Sequence, residues 1–217
     1  MLGRWLPKGI KQWFDGQEAE VSPGGSAIIS RKQHRLSRKA ISANALKVMY
    51  RLKKHGYAAY LVGGGVRDVL LGVPTKDFDV ATDATPSQLR RVFENSRIIG
   101  RRFRLVHVYY PGEIIEVSTF RAHSQNDECE GDMIQSDNTF GTIEEDALRR
   151  DFTINAMYYN IADFSIVDFA NGMPDLQSRV LRIIGDPEMR FREDPVRLLR
   201  AIRFAAKLNF SIEPSAL

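Results

Sequence analysis

The run from Tyr57 to Asp83, YAAYLVGGGVRDVLLGVPTKDFDVATD, constrains the fold more than any other part of the chain. YAAYLV is a short apolar stretch that reads as a buried strand and runs directly into Gly63, Gly64 and Gly65. VRDVLLG then reads as a short helix closed by Gly72, and DFDVAT as the next strand. That second strand poses a problem, because Asp77 and Asp79 flank Phe78. In an extended chain Phe78 and Val80 face a core while both carboxylates share the other face. Two like charges held so close need either water or a cation to screen them.

The remaining elements follow from capping and periodicity. ISANALKVMYRLKKHG predicts a helix capped by Ser42 or Asn44 and stopped by Gly56. TPSQLRRVFEN begins another, with Thr85 as the cap and Pro86 in the first turn. RLVHVYY and EIIEVSTF are two strands joined at Pro111 and Gly112, an antiparallel hairpin. The polar stretch from His123 to Asn138 reads as an exposed loop, IEEDALRRDFTINAMYYN as helical, IVDFANG as a strand entering a turn, and MPDLQSRVLRIIG as a further small element. DPVRLLRAIRFAAKL closes the series as a strong helix.

This order predicts an α+β fold, with a small mixed or antiparallel sheet and helices over residues 41–160 and helical material over 161–217. Residues 1–40 mix charge, Ser, Pro and Gly without periodicity and read as a basic, disordered arm. The last helix carries an apolar face of Leu198, Leu199, Ile202, Ala205 and Ala206 with about a dozen residues after it, so the packing partner of that face is expected in a continuation of the chain.

Charge narrows the partners. The formal net charge is only +4, but nine Lys and Arg between Arg31 and Lys54 meet no acidic residue, a field that favours phosphate unless it is simply a solvated face. The single cysteine, Cys129, excludes a disulfide framework and a cysteine zinc site and fits a reducing cytoplasm. No segment has the run of about 20 apolar residues that a spanning helix needs, and the opening MLGRWLPKGIKQWF lacks a secretory apolar core. Firm membrane association is not expected.

Four constellations carry chemistry. Glycines at a strand end followed by a helix, Gly63 to Asp68, offer backbone amides to a phosphate, although the spacing fits neither a P-loop nor a dinucleotide fingerprint and a bare tight turn would look the same. Asp77 and Asp79 suit Mg²⁺, a hard cation that often shares substrate phosphates as ligands, or else face water. Glu116, on the hairpin strand, is a third carboxylate of the correct alternation. In RRDFTIN, Arg149 and Arg150 can pair with phosphate, and Asp151 and Asn155 can bond sugar hydroxyls, or Asp151 can merely cap. In EDPVRLLRAIRF, Asp194 reads as the helix cap, and Arg197, Arg200 and Arg203 as a row on one face with the leucines and isoleucine packed opposite. Asp194 and Arg197 can form a local ion pair or read a base edge.

Together LVGGGVRDVLLG, KDFDVAT, EVSTFR, RRDFTINAM and EDPVRLLRAIRFAAKL resemble, in order and spacing, the class II nucleotidyltransferases of the polymerase-β superfamily. That family comprises tRNA CCA-adding enzymes and bacterial poly(A) polymerases. The resemblance implies template-independent, metal-dependent transfer of a nucleoside monophosphate to an RNA 3′ hydroxyl. It casts Gly63 and Gly64 as triphosphate-holding glycines supported by Arg67 and Asp68, Asp77 and Asp79 as the Mg²⁺ ligands, and Glu116 as the third catalytic carboxylate. Arg150, Asp151 and Asn155 become ribose and phosphate contacts, and Asp194, Arg197 and Arg200 contacts to the incoming nucleotide. IIGRRFRLVHV and the basic lead-in are similar to the poly(A) polymerase branch, so ATP and RNA 3′ ends are the expected partners, with no DNA. CCA addition is the alternative, and a silent RNA-binding module is the rival from another class.

Overall fold

The computed structural model describes residues 20–21, 26–100, 104–122 and 139–216. In chain order the elements are β1 (Glu20–Val21), β2 (Ala27–Ile29), α1 (Ala43–Lys54), β3 (Tyr60–Val62), α2 (Gly64–Leu71), β4 (Asp79–Thr82), α3 (Pro86–Val92), β5 (Ser96–Ile99), β6 (Leu105–Tyr110), β7 (Glu113–Thr119), α4 (Ile143–Leu148), β8 (Met157–Asn160), β9 (Ile166–Asp168), α5 (Gly172–Ser178), β10 (Val180–Leu181), α6 (Pro187–Glu193), α7 (Val196–Leu208) and β11 (Ser211–Ile212). Nine of the strands form one sheet in the order β1-β2-β9-β8-β3-β4-β7-β6-β5, and β10 and β11 pair separately. Among the described residues of the nine-stranded sheet only β4 and β7 run parallel as neighbours, and the separate β10–β11 pair is parallel too. The fold is therefore the mixed α+β architecture expected, but its sheet is large.

Strand alternation assigns the two faces. Leu61, Val80, Val106, Ile115, Val117 and Tyr159 join Val48, Met49 and Leu52 of α1 in the main core. Val62, Ala81, Phe120 and Tyr158 point the other way, into a smaller cluster with Ala147 of α4. Phe78 and Val80 are buried, as the alternation requires. Ser42 caps α1 by accepting from the Asn44 and Ala45 amides, and Thr85 and Gln88 form a reciprocal capping box on α3.

Several expectations change. The arm expected through residue 40 is, from residue 26 on, part of the fold: β2 pairs with β9, and Ile29, His34 and Leu36 are buried. Residues 1–19 and the loop between His123 and Asn138 lie outside the described residues. The sheet also runs past 160, because β9 belongs to it. The segment expected to be helical through Asn160 stops being α-helix at Leu148; Thr153–Asn155 is a 3-10 turn and Met157–Asn160 is a strand. MYYN is buried on both faces, and the aromatic pair suits a central strand better than a helix. In α7 the buried stripe is Arg197, Ala201, Phe204 and Leu208, so Arg197 packs inward instead of sharing an open face with Arg200 and Arg203, while Leu199 and Ile202 are 68% and 61% exposed. Among the described residues no helix is long and apolar enough to cross a membrane.

Candidate active site

The site is built where β3 ends. Gly63 has φ 69° and ψ −141°, a conformation that a side chain makes costly, and it turns the chain into α2 without a side-chain cap. A methyl group on Gly63 would lie 3.6 Å from both Arg150 Nη1 and Asp79 Oδ2, so the carboxylate strand and the arginine loop converge on this turn. Gly65 is equally constrained, since a methyl there would come within 3.0 Å of the Asp77 carbonyl oxygen.

Arg67 holds the turn from behind. Its guanidinium is buried, donating from Nε to Asp68 Oδ1 at 2.8 Å and from Nη1 to Asn155 Oδ1 at 2.6 Å. With its Nη2 3.3 Å from a methyl placed on Gly64, Arg67 braces the glycines instead of opening onto the cleft. Asp68 is its buried counter-ion at 2.7 Å.

The parallel register of β4 and β7 sets Asp79 opposite Glu116, and β6 sets His107 on the other side of Glu116. His107 Nε2 lies 3.3 Å from Glu116 Oε1. Burial pushes the Asp79 carboxyl up to about 6, with Glu116 and Asp77 adding to the rise and Arg150 opposing it. Asp77 precedes β4 and is exposed, lining a neighbouring groove with Lys39 and Lys76. Among the described residues no three His, Cys, Asp or Glu side chains converge into a metal cage. That donor set still fits a hard divalent cation, because such ions bind through one or two carboxylates and complete their shell with substrate phosphates and water.

Facing these carboxylates is a cleft of about 400 Å³ that gathers Asp79, Glu116, Arg150, Asp151, Asp194, Arg197 and Arg200 from among the predicted residues. Asp151 Oδ2 accepts from Arg200 Nε at 2.7 Å, and Asp151 Oδ1 accepts from the Phe152 amide at 2.8 Å and Asn155 Nδ2 at 3.2 Å. Asp194 follows α6 and its Oδ1 accepts from the Val196 amide at 3.2 Å, a turn into α7 in which Pro195 holds the cap position. Of the two readings open for Asp194 and Arg197, the local side-chain ion pair is not formed among the described residues. Arg197 is buried and donates to Glu193 Oε2 at 2.8 Å and to the Arg190 carbonyl at 2.7 Å.

Other residues came forward only with the structure. Arg121 lines the same cleft, beside Arg149, which the sequence already offers for phosphate. Beneath it Asp146, 1% exposed, accepts from Arg149 Nε and Arg150 Nη2, each at 3.1 Å, and from Tyr158 Oη at 2.6 Å. Burial would raise the Asp146 carboxyl, but the Arg150 and Arg149 guanidiniums outweigh it and hold the group below its ordinary value. The spacing of Asp146 to Arg149 and Arg150 is the i, i+3 and i, i+4 pattern of a helical ion pair, which the sequence did display. Tyr158 gave no such signal.

Fold and cleft together set backbone amides, arginines and carboxylates around one cavity, groups whose chemistry suits phosphates and a cation. Residues 59–182 match the poly A polymerase head domain, and the chain belongs to that family. It is 59% identical to the poly(A) polymerase I of Salmonella typhi over 205 residues, 91% of this chain and 44% of that protein. It is 41% identical to the CCA-adding enzyme of Bacillus pumilus over 169 residues, 78% of this chain and 42% of the relative. The crystal structure of the Bacillus stearothermophilus CCA-adding enzyme in complex with CTP superposes with a TM-score of 0.69 at 38% identity, covering 79% of this chain and 40% of that one. The chain thus spans less than half the length of these curated relatives.

Proposed function

We propose that the protein extends RNA 3′ ends with adenylate, without a template. The RNA 3′ oxygen bonds to the α-phosphorus of ATP as the bond to the β-phosphate oxygen breaks, so that pyrophosphate leaves and the hydroxyl proton passes to solvent. The observation that carries this reading is that Asp79 and Arg150 line one arginine-rich cleft and both lie 3.6 Å from where a methyl on Gly63 would sit. Backbone amides at the start of α2 suit the triphosphate, and the Arg150 guanidinium adds positive charge beside it. Asp151 and Asn155 suit the ribose, and Asp194, Arg197 and Arg200 the nucleotide's far end. Asp77, Asp79 and Glu116 would hold Mg²⁺, which when bound neutralises phosphate charge and polarises the reacting phosphoryl group. Most of the chain's own contribution is then positioning and charge complementarity, with no side-chain base required.

The higher identity to a poly(A) polymerase than to a CCA-adding enzyme favours ATP and homopolymer growth. Residues beyond β9 are read as the start of a second, mainly helical unit. The exposed basic side chains Lys47, Arg51, Lys53 and Lys54 ride on α1, against the sheet face opposite Asp79 and Glu116, so they suit an RNA path outside the reaction cleft. The test is incorporation by the full-length protein on defined RNA ends, with each NTP in turn. Asp77→Ala and Asp79→Ala are each expected to cut incorporation at least about 100-fold. Undiminished extension by either sinks the carboxylate assignment, and CTP use that stops at a tRNA terminus moves the reading to CCA addition.

A further inference from the structure

Arg150 Nη1 and Asp79 Oδ2 each lie 3.6 Å from where a methyl on Gly63 would sit, and the orientation of Arg150 is fixed from two sides. Its Nε donates to Tyr158 Oη at 2.8 Å and its Nη2 to Asp146 Oδ2 at 3.1 Å, while Tyr158 Oη donates in turn to Asp146 Oδ2 at 2.6 Å. These three groups close a ring of hydrogen bonds in which every proton has an acceptor. The other Asp146 oxygen accepts from Arg149 Nε at 3.1 Å and the Arg121 amide at 3.3 Å. What remains of the Arg150 fork is Nη1. Among the described residues it has only a long contact of 3.5 Å to the Asn155 carbonyl, and it faces Gly63.

The anchor itself is rigid. Tyr158 sits on β8 in register with Val62, the residue before Gly63. Its ring is fully buried and meets Tyr60, Phe120 and Phe169 edge-on at centroid distances of 6.1, 6.5 and 6.5 Å. A tyrosine this enclosed has no freedom to follow Arg150, so Arg150 must conform to it. A phenylalanine would fill the same space in the apolar cluster without the hydroxyl.

We propose that Asp146 and Tyr158 are positioning residues that lock the Arg150 guanidinium with Nη1 turned to the triphosphate of the nucleotide bound at Gly63. The proposal rests on the function given above, since it takes that nucleotide as the ligand. Neither residue touches substrate; both act through Arg150. Without the tyrosine hydroxyl Arg150 keeps its charge but loses its fixed direction, which weakens binding of a polyphosphate and leaves the fold intact.

ATP affinity of the full-length protein, measured at equilibrium without RNA, tests this in four proteins: wild type, Tyr158→Phe, Arg150→Ala and the double variant. Tyr158→Phe is expected to weaken ATP binding about fivefold, the scale of one ordinary hydrogen bond, in a protein that still folds but melts at a lower temperature because Asp146 and Arg150 Nε each lose a partner. In the Arg150→Ala background the same change should cost nothing more, because the group through which Tyr158 acts is gone. Equal loss in both backgrounds, or no loss in either, overturns the proposal. If Arg150→Ala fails to fold, Asp146→Asn takes its place: Asp146→Asn with Tyr158→Phe should bind ATP no worse than Asp146→Asn alone, and an additive loss overturns the proposal. A wild-type protein that binds no ATP overturns both this and the proposed function, whereas ATP binding without adenylate incorporation overturns the proposed function alone.

Discussion

Replacing Asp79 by asparagine is expected to stabilise the unliganded protein at neutral pH while removing its activity. Asp79 is half-buried beside Glu116, and its carboxyl is raised from 3.8 to about 6. The folded state therefore holds a proton there that the unfolded chain has already released. Stability from this group is complete below about pH 4, falls as pH rises to about 6, and stays reduced above that. A rise of that size corresponds to about 3 kcal/mol at full strength, and water in the open cleft reduces it to about 1–2 kcal/mol. For a chain of this length that means roughly 2–8 °C in Tm. Asparagine keeps the shape and discards the charge, so the gain should appear only above the titration window. The assay is urea or thermal unfolding followed by far-ultraviolet circular dichroism in a chelator, at several pH values from about 4 to 8. A variant that is no more stable than wild type at about pH 7.5, or a difference that does not grow between about pH 4 and 6, refutes the reasoning. If the same charge also serves the proposed cation and phosphates, stability and activity are expected to move in opposite directions.

Two further substitutions probe the surrounding frame. Gly63→Ala puts a side chain on a residue with φ 69°, where the neighbours leave room but the backbone does not; a loss of about 1–3 kcal/mol in unfolding free energy together with weaker ATP binding is expected, and wild-type stability would contradict the strain. Asp151→Ala removes the carboxylate held by Arg200, Asn155 and the Phe152 amide and is expected to narrow the preference for ATP over dATP about tenfold in primer extension, an unchanged preference arguing against a ribose contact.

The local elements around the site were legible because each depends on neighbours in sequence. Thr85 with Gln88 makes a capping box, Pro111 and Gly112 turn a hairpin, and Phe78 and Val80 bury one side of β4 while Asp79 takes the other. Nothing in the spacing of MYYN separates strand from helix, and only its place between β3 and β9 makes it a strand. The strand at Ala27–Ile29 was hidden in a charged, glycine-containing stretch whose order comes from pairing with β9, far along the chain.

By itself the sequence determined the identities of the carboxylates, glycines and arginines and the order in which they occur, since those are fixed by local spacing. Only the tertiary structure decided who faces whom. The parallel register of β4 and β7 brought Asp79 to Glu116, and the α4 loop swung Arg150 over Gly63. It also turned Arg197 towards Glu193 and away from Asp194. Register and loop path are set by burial of the Val80, Val117 and Tyr158 faces against distant partners, a free-energy balance that no short stretch of residues contains.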